Sequence, residues 1–234
     1  MRSIETPPPT VTPAVCTLKV VLTLCSADVA PRTVVQRVIH QHCSPQAWDL
    51  EHDRQGRPWL MLPERKPISI SHTSSMVAVV FSDGLHVGVD VEKIRCLPTR
   101  LVSGFLTSSG FFDPLDLNRL HHLHGTHAEL ATWTLFEAIV KADGRGIHQA
   151  EGNITLHPQP TGVWLTRYAR RDCVVRWIYS DQHVCCLAVE VPPSDTQVRI
   201  RCCLQEMHTW TGAENLSGSS GFSVLWSREF DLLG

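Results

Sequence analysis

Residues 76–81, Met-Val-Ala-Val-Val-Phe, form an unbroken apolar run, and the segment after them alternates. In His86-Val87-Gly88-Val89-Asp90-Val91-Glu92, a period of two places Val87, Val89 and Val91 on one strand face and His86, Gly88, Asp90 and Glu92 on the other. Ser82-Asp83-Gly84-Leu85 carries an Asp-Gly turn signal, so residues 76–92 are predicted to form a β-hairpin. Its valines need a core to face.

The rest of the chain reads as a mixture of helices and strands. Residues 1–14, with Pro7, Pro8, Pro9 and Pro13, read as a loose leader. A strand is predicted over 15–24, and a short helix over 32–41 with Val34, Val35, Val38 and Ile39 on one side. A turn-rich stretch leads to the alternating strand 68–72. Pro98 opens a helix over 97–106, and 107–125 reads as irregular. Thr126-His127-Ala128-Glu129 fits a capping box, in which hydroxyl and carboxylate satisfy the free N–H groups of a helix running to Ala142, stopped by Gly144 and Gly146. Strands are expected over 154–157, 163–168, 174–179, 183–191 and 198–204. The Ser/Gly-rich stretch 212–221 reads as a mobile segment before the apolar piece 222–226. The fold class is α+β, in two halves that each combine helices with an antiparallel sheet and join near 93–97. The division expected is a leader (1–14), an N-terminal half (15–95), a C-terminal half (96–191) and a tail (192–234) without an assigned role.

Charge and cysteine content exclude several function classes. Lys and Arg number 21 against 23 Asp and Glu, a net charge of −2. No global basic field would concentrate nucleic acid or an anionic membrane, so neither is an expected partner. No apolar run reaches the roughly 18 residues of a membrane span, and the N-terminus lacks a signal-peptide core, so a cytoplasmic protein is expected. Nine cysteines without a C-x-x-C read as reduced thiols on buried strands rather than a disulfide frame or a zinc ribbon.

Four short segments carry chemistry. Asp90 and Glu92 share a strand face, where like charges repel; a hard divalent cation would compensate them, and the alternative is a solvated polar face. Trp133, Glu137 and Lys141 recur every four residues on the predicted helix and form one stripe, readable as an active face or as a surface ion pair. His72, within Ser71-His72-Thr73 at a strand end, could bind a phosphate, orient a base or cap the strand; a Ser71–His72 dyad is geometrically poor because neighbours on a strand point oppositely. The turn Gly56-Arg57-Pro58 would fix a guanidinium, or carry an ordinary loop arginine.

In this order and spacing, the four segments resemble the Sfp-type 4′-phosphopantetheinyl transferases, single-chain and pseudo-dimeric. That family's pattern is a G-K/R-P turn, an S-H-S/T strand end, a G-x-D-x-E strand and a W-x-x-K-E-A-x-x-K-x-x-G-x-G helix. Here they read Gly56-Arg57-Pro58, Ser71-His72-Thr73, Gly88-Val89-Asp90-Val91-Glu92 and Trp133 through Gly146. The likeness spans about residues 32–191.

The resemblance implies two similar halves related by a pseudo-twofold, with coenzyme A in the cleft between them and Mg²⁺ on its pyrophosphate. By motif position, Asp90, Glu92 and Glu137 would surround the metal, Lys141 would contact phosphate, and Arg57 and His72 would contact the 3′-phosphate of coenzyme A. The implied reaction is that of a holo-acyl-carrier-protein synthase: transfer of phosphopantetheine to a serine of an acyl, peptidyl or aryl carrier protein, with Glu137 and Lys141 catalytic and 3′,5′-ADP released. A cytoplasmic monomer serving secondary-metabolite synthesis is expected. Arg32 and Arg37 are candidates for the family's N-terminal basic contacts. His121, His122, His124 and His127 fall in a variable loop near the family's carrier surface.

Two positions depart from the pattern. Gly110 stands where the family has Glu, and Phe136 stands where Lys precedes the helix Glu, which removes a positive charge near the site. A catalytically degenerate module that binds coenzyme A or a carrier is therefore a competing reading. A Mg²⁺-dependent phosphohydrolase of unrelated fold would explain the acids but neither the helix stripe nor the Gly-Arg-Pro turn.

Overall fold

In the computed structural model, residues 14–43, 49–61, 64–98, 100–147, 150, 152–158, 163–169, 171–191, 196–207 and 222–231 are described. The predicted leader, apart from Ala14, and the segment 212–221 lie outside them. The first part of the chain folds into β1 (Ala14–Leu24), α1 (Pro31–His42), β2 (Asp49–His52), β3 (Pro58–Met61), β4 (Arg65–His72), β5 (Met76–Ser82) and β6 (Val87–Lys93). Next come α2 (Leu101–Ser108), α3 (Pro114–His124), a 3-10 turn (Gly125–His127) and α4 (Ala128–Asp143). The chain continues through β7 (Thr155–Pro158), β8 (Trp164–Tyr168), β9 (Arg171–Tyr179), β10 (His183–Glu190), β11 (Thr196–Met207) and β12 (Phe222–Asp231). No helix among the described residues is long and apolar enough to cross a membrane.

The fold is α+β, built on two sheets. One has the order β12-β11-β1-β5-β4-β3-β2, the other β6-β10-β9-β8-β7. Leu18, Val20, Val80, Val87, Val89, Leu187 and Leu204 meet in the core between them. On the outer face of the first sheet, Val77, Val79, Ile68 and Leu60 pack with Val34, Val38 and Ile39 of α1. The second sheet is covered by α4 and its neighbours, through Leu135, Phe136, Ile139, Cys186 and Ala188. The layers therefore run helix, sheet, sheet, helices. Both faces of β5 are buried, and this explains its unbroken apolar run.

The hairpin expected over 76–92 does not form. β5 pairs with β1 and β4, whereas β6 pairs with β10. The turn containing Gly84, at φ +120°, hands the chain from one sheet to the other. Sheet membership thus cuts across chain order: β6 lies in the second sheet, and β11 and β12 from the tail extend the first, β11 running parallel to β1.

The helices also differ in part. Arg100 takes a left-handed φ of 64°, so α2 begins at Leu101 rather than at 97. Within the stretch expected to be irregular, Asp113 caps α3 by accepting from Leu115 N at 2.7 Å, with Pro114 at its first position. The capping box of residues 126–129 is replaced by a longer-range cap. Glu129 accepts from Arg100 N, Val102 N and Ser103 N at 3.0, 2.7 and 3.0 Å, and from Ser103 Oγ at 2.8 Å. It closes the start of α2, not of its own helix. Burial opposes its ionisation, but these bonds outweigh that and hold its carboxyl below the ordinary carboxylate range.

Candidate functional site

Every residue of α4 is buried except Trp133, Glu137 and Lys141, the stripe read from the four-residue spacing. That stripe is the side of the helix left open. Its neighbour β6 approaches closely because of Gly88: a Cβ there would overlap the Ala138 carbonyl oxygen and lie 2.6 Å from Ala142 N. The period of two that sends Val87, Val89 and Val91 into the inter-sheet core turns Asp90 toward the helix.

Asp90 is 4% exposed and is met from both sides. Lys141 Nζ lies 2.7 Å from its Oδ1, and Ser71 Oγ donates to the same oxygen at 2.7 Å. Val91 N in turn donates to Ser71 Oγ at 3.3 Å, fixing the hydroxyl. Glu137 Oε2 is 3.2 Å from Lys141 Nζ, so one ammonium joins two carboxylates from different elements. Burial drives the Asp90 carboxyl up to about 7, against the pull of Lys141. For Lys141, burial acts to lower the pKa, but the charges of Asp90 and Glu137 raise it, so the ammonium stays charged.

The other candidate residues lie around this centre. Glu92 is bound by Arg95 at 2.7 Å rather than by the Asp90 cluster. Arg57 donates through Nη1 to His86 Nδ1 and through Nη2 to the Asp143 carbonyl at the end of α4. Its guanidinium lies against Gly144, at φ +81°, where any Cβ would collide with it. His72 is exposed at the end of β4. A cavity of about 240 Å³ lies between β4 with the β2–β3 turn and the end of α4, lined by Gln55, Arg57, Ser69, Ile70, Lys141 and Gly146 among others. It joins Arg57 to Lys141 and does not include His72. Ligand pockets usually measure ~300–1,000 Å³, so this one takes only part of a large ligand.

Sequence reasoning missed two site residues. Ser71 was legible only as a strand neighbour of His72, although its alternation with Ser69 already placed both hydroxyls on one face; Ser69 Oγ accepts from Val89 N at 3.0 Å. His86 was legible as part of the polar face of β6, with nothing local to link it to Arg57.

The departures at 110 and 136 have structural causes. Gly110 has φ +74° just past the end of α2, a conformation that Glu adopts poorly. Phe136 is 1% exposed with its ring 4.7 Å from Phe111, so the side chain that replaces the family's Lys packs into the core.

Among the described residues, no group of three or more His, Cys, Asp or Glu side chains is gathered to hold a metal. Asp90 and Glu137 nonetheless converge on one cation, the Lys141 ammonium, and an all-oxygen pair suits Mg²⁺, which keeps water and substrate phosphate among its ligands. Of the histidines, His121 Nε2 is 3.1 Å from Glu129 and His124 bonds the Tyr179 hydroxyl. Residues 86–203, half of the chain, match the family model described as the 4′-phosphopantetheinyl transferase superfamily, and no curated protein matches the chain. The matched span contains Asp90, Glu92, Glu137 and Lys141.

Proposed function

We infer the reaction from the premise that this chain belongs to the 4′-phosphopantetheinyl transferase superfamily. It takes coenzyme A and transfers phosphopantetheine to a serine of an apo acyl, peptidyl or aryl carrier protein, as a single-chain, pseudo-twofold enzyme of the Sfp type. The observation that carries this reading is the Asp90–Lys141–Glu137 cluster beside a cleft that also holds Arg57. The serine oxygen attacks the phosphorus that bears pantetheine, the bond to the bridging pyrophosphate oxygen breaks, and 3′,5′-ADP leaves. Glu137, half-buried, takes the serine proton. Lys141, at the cleft wall, binds phosphate oxygens and neutralises charge on the departing nucleotide. Arg57 and His72 contact the 3′-phosphate. Asp90 and Glu137, joined by Glu92 once it leaves Arg95, would hold Mg²⁺, which would neutralise charge on the pyrophosphate.

A groove of about 720 Å³ between α2 and α3, lined by Ser103, Thr107, Leu117 and His121 and flanked by the exposed Leu101, Phe105 and Leu115, supports a carrier-docking face there. The protein works as a cytoplasmic monomer in secondary-metabolite synthesis. Metal dependence tests the reaction: EDTA abolishes transfer, Mg²⁺ or Mn²⁺ restores it, and Asp90→Ala removes it with the fold intact. Full transfer in EDTA contradicts the metal assignment. Binding of coenzyme A without transfer to any carrier marks a binding module instead.

A further inference from the structure

We propose that His86 is a positioning residue of the cleft, whose imidazole holds the Arg57 guanidinium in the orientation in which it meets the 3′-phosphate of coenzyme A. The proposal rests on the role given to Arg57 above.

Arg57 sits in a turn that is itself fixed. Asp53 Oδ1 accepts from Arg57 N at 3.0 Å and from Gln55 N at 2.9 Å, and Asp53 Oδ2 accepts from Trp59 Nε1 at 3.2 Å. The side chain then reaches across to two elements of the other layer, His86 just before β6 and the Asp143 carbonyl ending α4. Of these partners the carbonyl takes only Nη2. Nη1 has His86, and Nε is buried against Gly144 without a protein partner among the described residues.

His86 is equally fixed. Its carbonyl accepts from Glu190 N at 3.0 Å, and its ring meets Trp59 edge-on at a centroid distance of 6.1 Å. An imidazole can accept from a guanidinium only when neutral, with the proton on Nε2. Burial, then the charge of Arg57, lowers the His86 pKa; Arg171 acts in the same sense, while Glu190 and Asp53 oppose it. The neutral acceptor is therefore the resident form at neutral pH.

A long, flexible arginine held in place before its ligand arrives loses less freedom on binding. Without His86, the Nη1 end is free to turn about the remaining bond to the Asp143 carbonyl. The selective loss should fall on ligands that carry the 3′-phosphate.

Calorimetric affinities for coenzyme A and 3′-dephospho-coenzyme A test this in wild type, Arg57→Ala, His86→Ala and His86→Gln, with thermal melts confirming each fold. Wild type prefers coenzyme A, and Arg57→Ala sharply reduces the preference, leaving the part that His72 supplies. His86→Ala cuts it at least ~5-fold while the affinity for 3′-dephospho-coenzyme A changes less than ~2-fold, and His86→Gln, which restores an acceptor, retains most of it. His86→Ala that keeps the full preference, or weakens both ligands equally, overturns the positioning role while leaving Arg57 in place. An Arg57→Ala variant that keeps the preference overturns the Arg57 assignment, and the role of His86 with it.

Discussion

Lys141 Nζ lies 2.7 Å from Asp90 Oδ1, joining the open face of α4 to the buried edge strand β6. The pair holds an aspartate that burial alone would neutralise. It is weak evidence for stability as such, because two desolvated charges roughly offset their own attraction. Breaking it from one side is a different matter.

Lys141→Met leaves Asp90 buried and unpaired. Removing one partner of a buried pair costs ~3–5 kcal/mol, and the lower end applies here because the Lys141 side chain is 30% exposed. Urea unfolding should show this loss, and the double change Asp90→Asn with Lys141→Met should be more stable than Lys141→Met alone. Equal stability of Lys141→Met and wild type contradicts the pairing.

Glu129 caps α2 across a sequence separation that no local motif announces. Glu129→Ala leaves three backbone N–H groups and a hydroxyl without their acceptor, a loss of roughly 2–4 kcal/mol. Glu129→Gln, which keeps one carbonyl oxygen, should cost less. Amide hydrogen exchange locates the effect: protection falls first in residues 101–108, ahead of α4.

Burial, and then the neighbouring His127, pushes His124 down from 6.5 to about 4. The unfolded chain therefore binds a proton at this position that the folded chain refuses, so stability is full above pH 6.5 and falls between 6.5 and about 4. The contribution is at most ~3 kcal/mol over that window. His124→Phe retains a ring beside Trp177, 4.5 Å away in the wild type, and removes the titration. Urea midpoints from pH 7 to 5 should fall less steeply in the variant; parallel slopes contradict the shift.

Much of the site was legible because its chemistry follows local periods. The spacing of Trp133, Glu137 and Lys141 alone identified the three residues of α4 that remain partly open, and alternation on β6 separated Asp90 from the valines. What stayed hidden depends on distant partners. An Asp-Gly turn signals a reversal, but whether β5 and β6 pair or part depends on β1 and β10, which compete for their edges. Thr126 and Glu129 have the spacing of a local cap, yet the carboxylate serves α2, whose start is left-handed at Arg100. The start of α3 was marked by Asp113-Pro114, but three histidines in its last turn and an exposed Leu115 and Leu123 blurred its apolar face. The parallel pairing of β1 with β11 leaves no trace in either strand's own sequence.

Intact mass spectrometry of apo-carrier proteins tests the central claim most directly. Incubated with the protein, Mg²⁺ and coenzyme A, at least one apo-carrier should gain the mass of phosphopantetheine on its serine. Glu137→Gln should slow that gain at least ~100-fold while coenzyme A binding is largely retained, the size expected for a lost general base. A Glu137→Gln variant that transfers at the wild-type rate, or a wild-type protein that modifies no acyl, peptidyl or aryl carrier, contradicts the account.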